Sequence, residues 1–207
     1  MTTNKKEANV PDFSILLPHY HSDVDKRALR VALDTIVRHT VGDYELIVQA
    51  HHGNNAYPMW NAMAKAATTD WLIFTVSDHF VSPAWDVPLW EARDENTLVM
   101  GGLVESGFRS VAEQCIEHNF GMSPEKFEEA EFNAFAATKP PIPPMEAWVW
   151  PWIIHKEAFF NMGSFGIDPT LSDMHFFRAW IACGRAWKRV ESYSYHLQNW
   201  TSTGAER

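Results

Sequence analysis

Two cysteines, Cys115 and Cys183, are too few in 207 residues to build a disulfide framework. Neither stands at a recognisable metal spacing, and both fit a reducing compartment. No apolar run approaches the roughly 18 residues that cross a bilayer. The opening MTTNKKEANVPDF lacks the apolar core of a signal peptide. The expectation is a soluble, cytoplasmic protein with no membrane span. Basic runs are also missing. Against 26 Asp plus Glu stand 17 Lys plus Arg, a formal net charge of −9, which makes nucleic acid an unlikely partner. An anionic ligand would need a metal ion or main-chain donors to offset that charge. With no internal repeat and no linker-like stretch, one compact core is the default for this length.

Aromatic residues, in contrast, are abundant, with 10 Trp and 13 Phe. Such rings are core residues by default, but they also stack on sugar faces and nucleobases.

From Phe13 the patterns alternate strand, helix, strand, helix, strand, which is the signature of a parallel sheet covered by helices. FSILLP is a short apolar run. SDVDKRALRVALDTIVRHT opens with helix-capping residues and repeats apolar groups at Leu29, Leu33, Ile36 and Val37. YELIVQA reads as a second strand, PMWNAMAKAAT as a short helix opened by proline, and DWLIFTV as a buried third strand. Ligands of such sheets collect beyond the carboxyl ends of the strands. The segments there are PHYHSD, AHHGNN and SDHFVSP.

The second half is less regular. SPEKFEEAEFNAFAA offers Ser123 as a cap and Pro124 at the first helical position. TKPPIPPMEAW is too rich in proline for helix or central strand. Trp148, Trp150 and Trp152 alternate, so on a strand they would share one face, either as a stacking platform or as a hydrophobic lid. A further helix is capped near Ser172 or Asp173 and stopped at Gly184, and a strand and a polar tail follow.

Two sets of residues compete for metal chemistry. His19, His21 and Asp23 spell H-x-H-x-D, which can present two imidazoles and a carboxylate to one ion as in a metallohydrolase. Such a site would need distant ligands, and His79 and His196 are the candidates. The other reading makes PHYHSD the loop after the first strand, with the chemistry further along the chain.

Taken in order, the segments resemble a family-2-type glycosyltransferase with the nucleotide-sugar-binding α/β fold called GT-A. FSILLPHY is similar to the family's opening strand at Pro18 and Tyr20, YELIVQAHHG to its "YEIIVVDNGS"-like strand and turn, and WNAMAKAA to its Asn-containing helix at Asn61. WLIFTVSDHFVSPAW is similar to the strand that runs into a metal-binding "DxD" or "NxD", with Asp78 as the match. HKEAFFNMGSFGID is similar to the "R/K-x-x-F-x-x-x-G-x-F-D" block, SDMHFFRAWIACG to an acidic pair opening a helix at Asp173, and SYHLQNW to a late metal-binding histidine at His196. The pair here is Ser-Asp, and Ala50 stands where relatives carry a base-holding Asp.

The resemblance implies a GT-A-like sandwich with a mainly parallel central sheet flanked by helices. It implies a single domain over 13–207 after a flexible tail, 1–12. Residues 13–100 would bind the nucleotide sugar, and residues 101–207 would bind the acceptor and carry catalysis. Pro18, Tyr20, Gln49, His51, Asn61, Ser77 and Asp78 would line the donor site. Asp78 with His196 and His79 would hold Mn2+ or Mg2+ at the diphosphate of a UDP-sugar, the family's usual donor. Asp173 would deprotonate the hydroxyl of a saccharide or other acceptor, as an inverting enzyme requires. Loss of transfer on the same fold would leave a nucleotide-sugar-binding protein.

Overall fold

The computed structural model describes residues 10–51, 56–106, 114–144, 149–166 and 173–198. The first nine residues of the expected tail, the Ser172 cap, Trp148 and the chain beyond Gln198 lie outside them.

The first strand, β1 (Phe13–Tyr20), is buried from Phe13 to Pro18, as a continuous apolar run should be. The helix that follows, α1 (Asp23–His39), is capped by Ser22, whose Oγ accepts the Asp25 N–H at 3.1 Å. Asp23 and Asp25 in its first turn and Arg38 and His39 in its last complement the helix dipole. Its buried face is Asp25, Ala28, Ala32, Thr35 and Ile36, one step round from the expected stripe, and Val37 is 62% exposed. Small alanines on that face let the helix approach the sheet closely, where the larger leucines sit at its flank.

Then come β2 (Tyr44–His51), α2 (Tyr57–Ala66), β3 (Trp71–Phe74), β4 (His79–Val81), α3 (Asp86–Glu91), β5 (Thr97–Glu105) and β6 (Ile116–Glu117). The remainder is α4 (Glu129–Ala137), β7 (Trp152–His155), α5 (Lys156–Asn161), α6 (Asp173–Ala182) and β8 (Ala186–His196). SPEKFEEAEFNAFAA starts later than expected: Ser123 makes no capping bond, Pro124–Lys126 is a single 3-10 turn, and α4 begins at Glu129. Gly184 does stop α6, at φ +72 with its N–H on the Ile181 carbonyl.

Among the described residues eight strands form one sheet in the order β2-β1-β3-β7-β5-β8-β4, with β6 beside β5. β1 is parallel to β2 and β3, and β5 is parallel to β6 and β8. However, β7 enters reversed between β3 and β5, and β4 runs antiparallel to β8. The sheet is therefore mixed, not mainly parallel. The strand–helix alternation that predicts a parallel sheet holds for the first three strands, and it ends where β4 follows β3 with no helix between them.

Aromatic packing joins the sheet to its helices. Phe74 lies flat on Trp152 at 4.1 Å and 5°, and it meets Phe159 at 5.1 Å and the edge of Phe165 at 5.7 Å. Trp150 stacks on Trp60 of α2 at 4.7 Å and 15°. Trp150 and Trp152 thus serve packing. The proline-rich segment is strapped to β8, because Arg189 donates to the carbonyls of Pro143 and Gln114 while Tyr193 Oη donates to that of Pro140.

Phe74→Ala would remove the centre of this aromatic cluster. The expected cost is about 3–5 kcal/mol, read as a fall of about 10 °C in thermal midpoint. A shift within error of wild type would contradict the packing described.

Candidate functional site

The turn from β3 into β4 places Asp78 at the sheet's carboxyl end and His79 at the first position of β4. Strand β8 runs antiparallel to β4 with His196 directly opposite His79, and the Leu197 N–H bonds the Asp78 carbonyl at 3.0 Å. On the other side of β8, Glu105 at the end of β5 pairs with His196. His79, His196 and Glu105 therefore form one row across three strands. The His79 and His196 rings are 4.5 Å apart, and His196 Nε2 is 3.7 Å from Asp78 Oδ2. Among the described residues, only Asp78, His79 and His196 gather ligand atoms closely enough for one metal ion, all within 4.8 Å of one another.

Electrostatics separate the two histidines. Burial and then repulsion from His196 push the His79 pKa well below its ordinary 6.5, so its ring is neutral near pH 7. Burial also pulls on His196. The hydrogen bond and charge of Asp78, followed by those of Glu105, outweigh it and hold that ring at about 9. Glu105 Oε1 accepts from His196 Nδ1 at 2.6 Å, and Gln198 Nε2 donates to Glu105 Oε2 at 2.7 Å.

Next to this cluster lies a cleft of about 210 Å³ lined by Pro18, His19, Tyr20, His51, Tyr57, Trp60, Ser77 and Asp78, among others. Its walls are rings: Tyr20 packs on His51 at 4.1 Å, and Tyr57 lies beside Trp60 at 5.9 Å. Beneath it Asp25, fully buried in the first turn of α1, accepts from Ser77 Oγ at 2.6 Å. Burial raises the Asp25 pKa, and Asp78 adds to the rise. Tyr20 is raised by burial and by both carboxylates. Two carboxylates, Asp78 in the lining and Asp25 beneath it, thus lie at this end of the cleft.

Of the expected donor-site residues, Pro18, Tyr20, His51, Ser77 and Asp78 line this cleft. Gln49 lies exposed on the edge strand β2, two residues before His51 and outside the lining. Asn61 also lies outside the lining. Its Nδ2 donates to the Phe165 carbonyl at 2.8 Å and its Oδ1 accepts the Phe165 N–H at 3.1 Å, so it pins α2 to that loop. Asp173 opens α6. Its Oδ1 accepts the N–H of Met174, one residue on, which is not the bond of an N-cap. Tyr57 Oη reaches the same oxygen at 3.5 Å, linking Asp173 to the cleft wall. Burial raises the Asp173 pKa, and Asp173 in turn helps burial push Tyr57 to about 12.

His19, His21 and Asp23 do not converge. His19 Nδ1 faces Asp25 Oδ2 at 3.4 Å, His21 is exposed, and Asp23 pairs with Lys26 at 3.0 Å in solvent. The H-x-H-x-D reading is set aside on this geometry. Glu105, Asp25, Tyr57 and Trp60 escaped the sequence reading. Two left a signal: Asp25 shares the α1 face of Ala28 and Ala32, and Glu105 closes an otherwise apolar strand.

No family model and no curated protein matches the sequence. Among solved structures the chain is similar to one described as the crystal structure of GalNAc-T7 with UDP, GalNAc and Mn2+. The TM-score is 0.58 at 13% identity, over 91% of this chain and 43% of that one. The likeness establishes a shared fold, and the chain spans less than half of that protein's length.

The histidine pair makes metal-free stability depend on pH. His196 lies above its ordinary 6.5, so the protonated ring contributes fully below about 6.5, and that contribution is lost as pH rises toward 9. His79 lies below 6.5, so stability falls as pH drops under that value and the unfolded chain takes up the proton. In chelator the thermal midpoint should peak near pH 6.5. His196→Gln should flatten the alkaline limb, and an unchanged limb would refute this electrostatic picture.

Proposed function

We propose that the chain is a metal-dependent glycosyltransferase that moves a sugar from a nucleoside-diphosphate donor to an acceptor hydroxyl. The observation that carries this reading is the Asp78–His79–His196 cluster beside an aromatic cleft, in a fold shared with a glycosyltransferase crystallised with UDP and Mn2+. The donor set fits the ion. One carboxylate and two imidazoles suit Mn2+ better than Mg2+, which prefers oxygen ligands and octahedral geometry. A divalent cation bound there would neutralise the negative charge that grows on the departing diphosphate.

The other steps belong to the chain's own groups. Tyr20 with His51, and Tyr57 with Trp60, give aromatic walls that offer ring faces to a nucleobase. Ser77, held by Asp25, fixes the turn that carries Asp78. Asp173 takes the acceptor proton as the hydroxyl attacks the anomeric carbon from the side opposite the diphosphate, giving inversion. Burial raises its pKa and makes it a stronger base than a solvent-exposed Asp, while Tyr57 Oη and the Met174 N–H on Oδ1 orient the carboxylate.

The test of donor binding is thermal unfolding with UDP-, GDP-, CMP- and dTDP-sugars, each with Mn2+ and with chelator. A ligand at 100 times its Kd adds about 2.7 kcal/mol, a rise of about 5–10 °C. One nucleotide class should raise the midpoint only with metal, and Asp78→Ala should abolish the effect. No rise with any donor would overturn the reading.

Asp173→Asn should keep that shift and lower transfer by about 10²–10⁴-fold in a donor-consumption assay. Transfer at the wild-type rate would remove Asp173 from the mechanism. A wild type that binds donor but transfers to no acceptor would mark a binding protein.

A further inference from the structure

The two histidines of the cluster each have one ring nitrogen engaged by a buried partner, and those partners decide which nitrogen is left. Ser194 Oγ is fully buried and lies 3.1 Å from the Trp150 carbonyl and 3.2 Å from His79 Nδ1. A carbonyl only accepts, so the single hydroxyl proton of Ser194 goes to Trp150. The contact with His79 then forms only if Nδ1 carries the proton and donates it, which leaves Nε2 with a bare lone pair. On His196 Glu105 accepts from Nδ1 at 2.6 Å, so Nε2, on the Asp78 side and 3.7 Å away, is the nitrogen whose proton a metal would displace.

The sheet register makes this arrangement rigid. Ser194 and His196 are two residues apart in β8 and so share a face. His79 lies opposite His196 on β4, and Glu105 lies opposite it on β5. Glu105 is itself steadied by Gln198 at 2.7 Å, and Gln198 accepts from Ser106 Oγ at 3.4 Å.

We propose that Ser194 and Glu105 are positioning residues that lock both histidines as Nδ1 donors, so that both Nε2 atoms face one divalent cation together with Asp78. This rests on the metal reading above. Partners of this kind fix a ligand's tautomer and ring orientation, and losing one typically weakens metal binding by about 10–100-fold. Ser194 does for His79 with a neutral hydroxyl what Glu105 does for His196 with a charge. That division suits the row, because a second carboxylate behind His79 would add to the negative charge of Asp25, Asp78 and Glu105.

Two measurements test this. Nitrogen NMR of the metal-free protein reads the His79 tautomer directly: a protonated Nδ1 and a bare Nε2 are expected in wild type, and a mixture in Ser194→Ala. Calorimetric titration with MnCl2 reads affinity. Ser194→Ala and Glu105→Gln are each expected to bind Mn2+ about 10–100-fold more weakly than wild type, while Ser194→Thr, which keeps the hydroxyl, stays close to it. Thermal unfolding in chelator confirms that each variant is folded, and Glu105→Gln, which keeps side-chain shape, decides the matter if Ser194→Ala does not fold. Wild-type Mn2+ affinity in the folded variants would overturn the positioning role and leave the metal site standing. Absence of Mn2+ binding by wild type would overturn the metal reading and this inference with it.

Discussion

The antiparallel pairing of β4 with β8 is the constraint on which the site depends. It sets His79 against His196, and the Leu197 N–H to Asp78 carbonyl bond extends the pairing past the strand ends. A slip of one residue would turn His196 to the opposite face of the sheet and separate it from both Asp78 and Glu105. The parallel pairing of β5 with β8 adds Glu105 from the other side. A metal site on a sheet is more precise than one assembled from loops, because the ladder hydrogen bonds hold every ligand's main chain at once.

Charge is concentrated at the site. Asp25, Asp78 and Glu105 are all buried, in a chain whose net charge is already −9. Hydrogen bonds from Ser77, His196 and Gln198 satisfy part of them. The proton that Asp78 and Glu105 together hold on His196 partly offsets that charge when no metal is bound. A divalent ion would replace that proton and add a further positive charge. In the proposed function an anionic diphosphate would then meet a positive centre instead of a row of carboxylates.

Much of this was legible in the sequence because it depends on local pattern. The run FSILLP, the capped and striped α1 and the strand ending near Asp78 are fixed by residues within a few positions of one another. Asp78, His79 and His196 were legible as candidates through the order of the segments. The reversed β7 and β4 were not, since nothing in WIIH or HFV states a strand's direction, and the mixed sheet follows from those two strands. Asn61 was named through the family's Asn-containing helix, a match that carries no sign that its two amide ends fit the Phe165 main chain. Glu105, Ser194 and Asp25 act through partners 91, 115 and 52 positions away, distances at which pattern carries no information.

The measurement that bears most directly on the metal-dependent site is anomalous diffraction at the manganese edge from crystals soaked with MnCl2 and UDP. A single strong peak bonded to Asp78 and to Nε2 of His196 and His79, with the diphosphate beside it and the base in the cleft of Tyr20 and Tyr57, is the expected result. UDP bound in the cleft with no manganese at these three residues, or manganese held elsewhere, would contradict it.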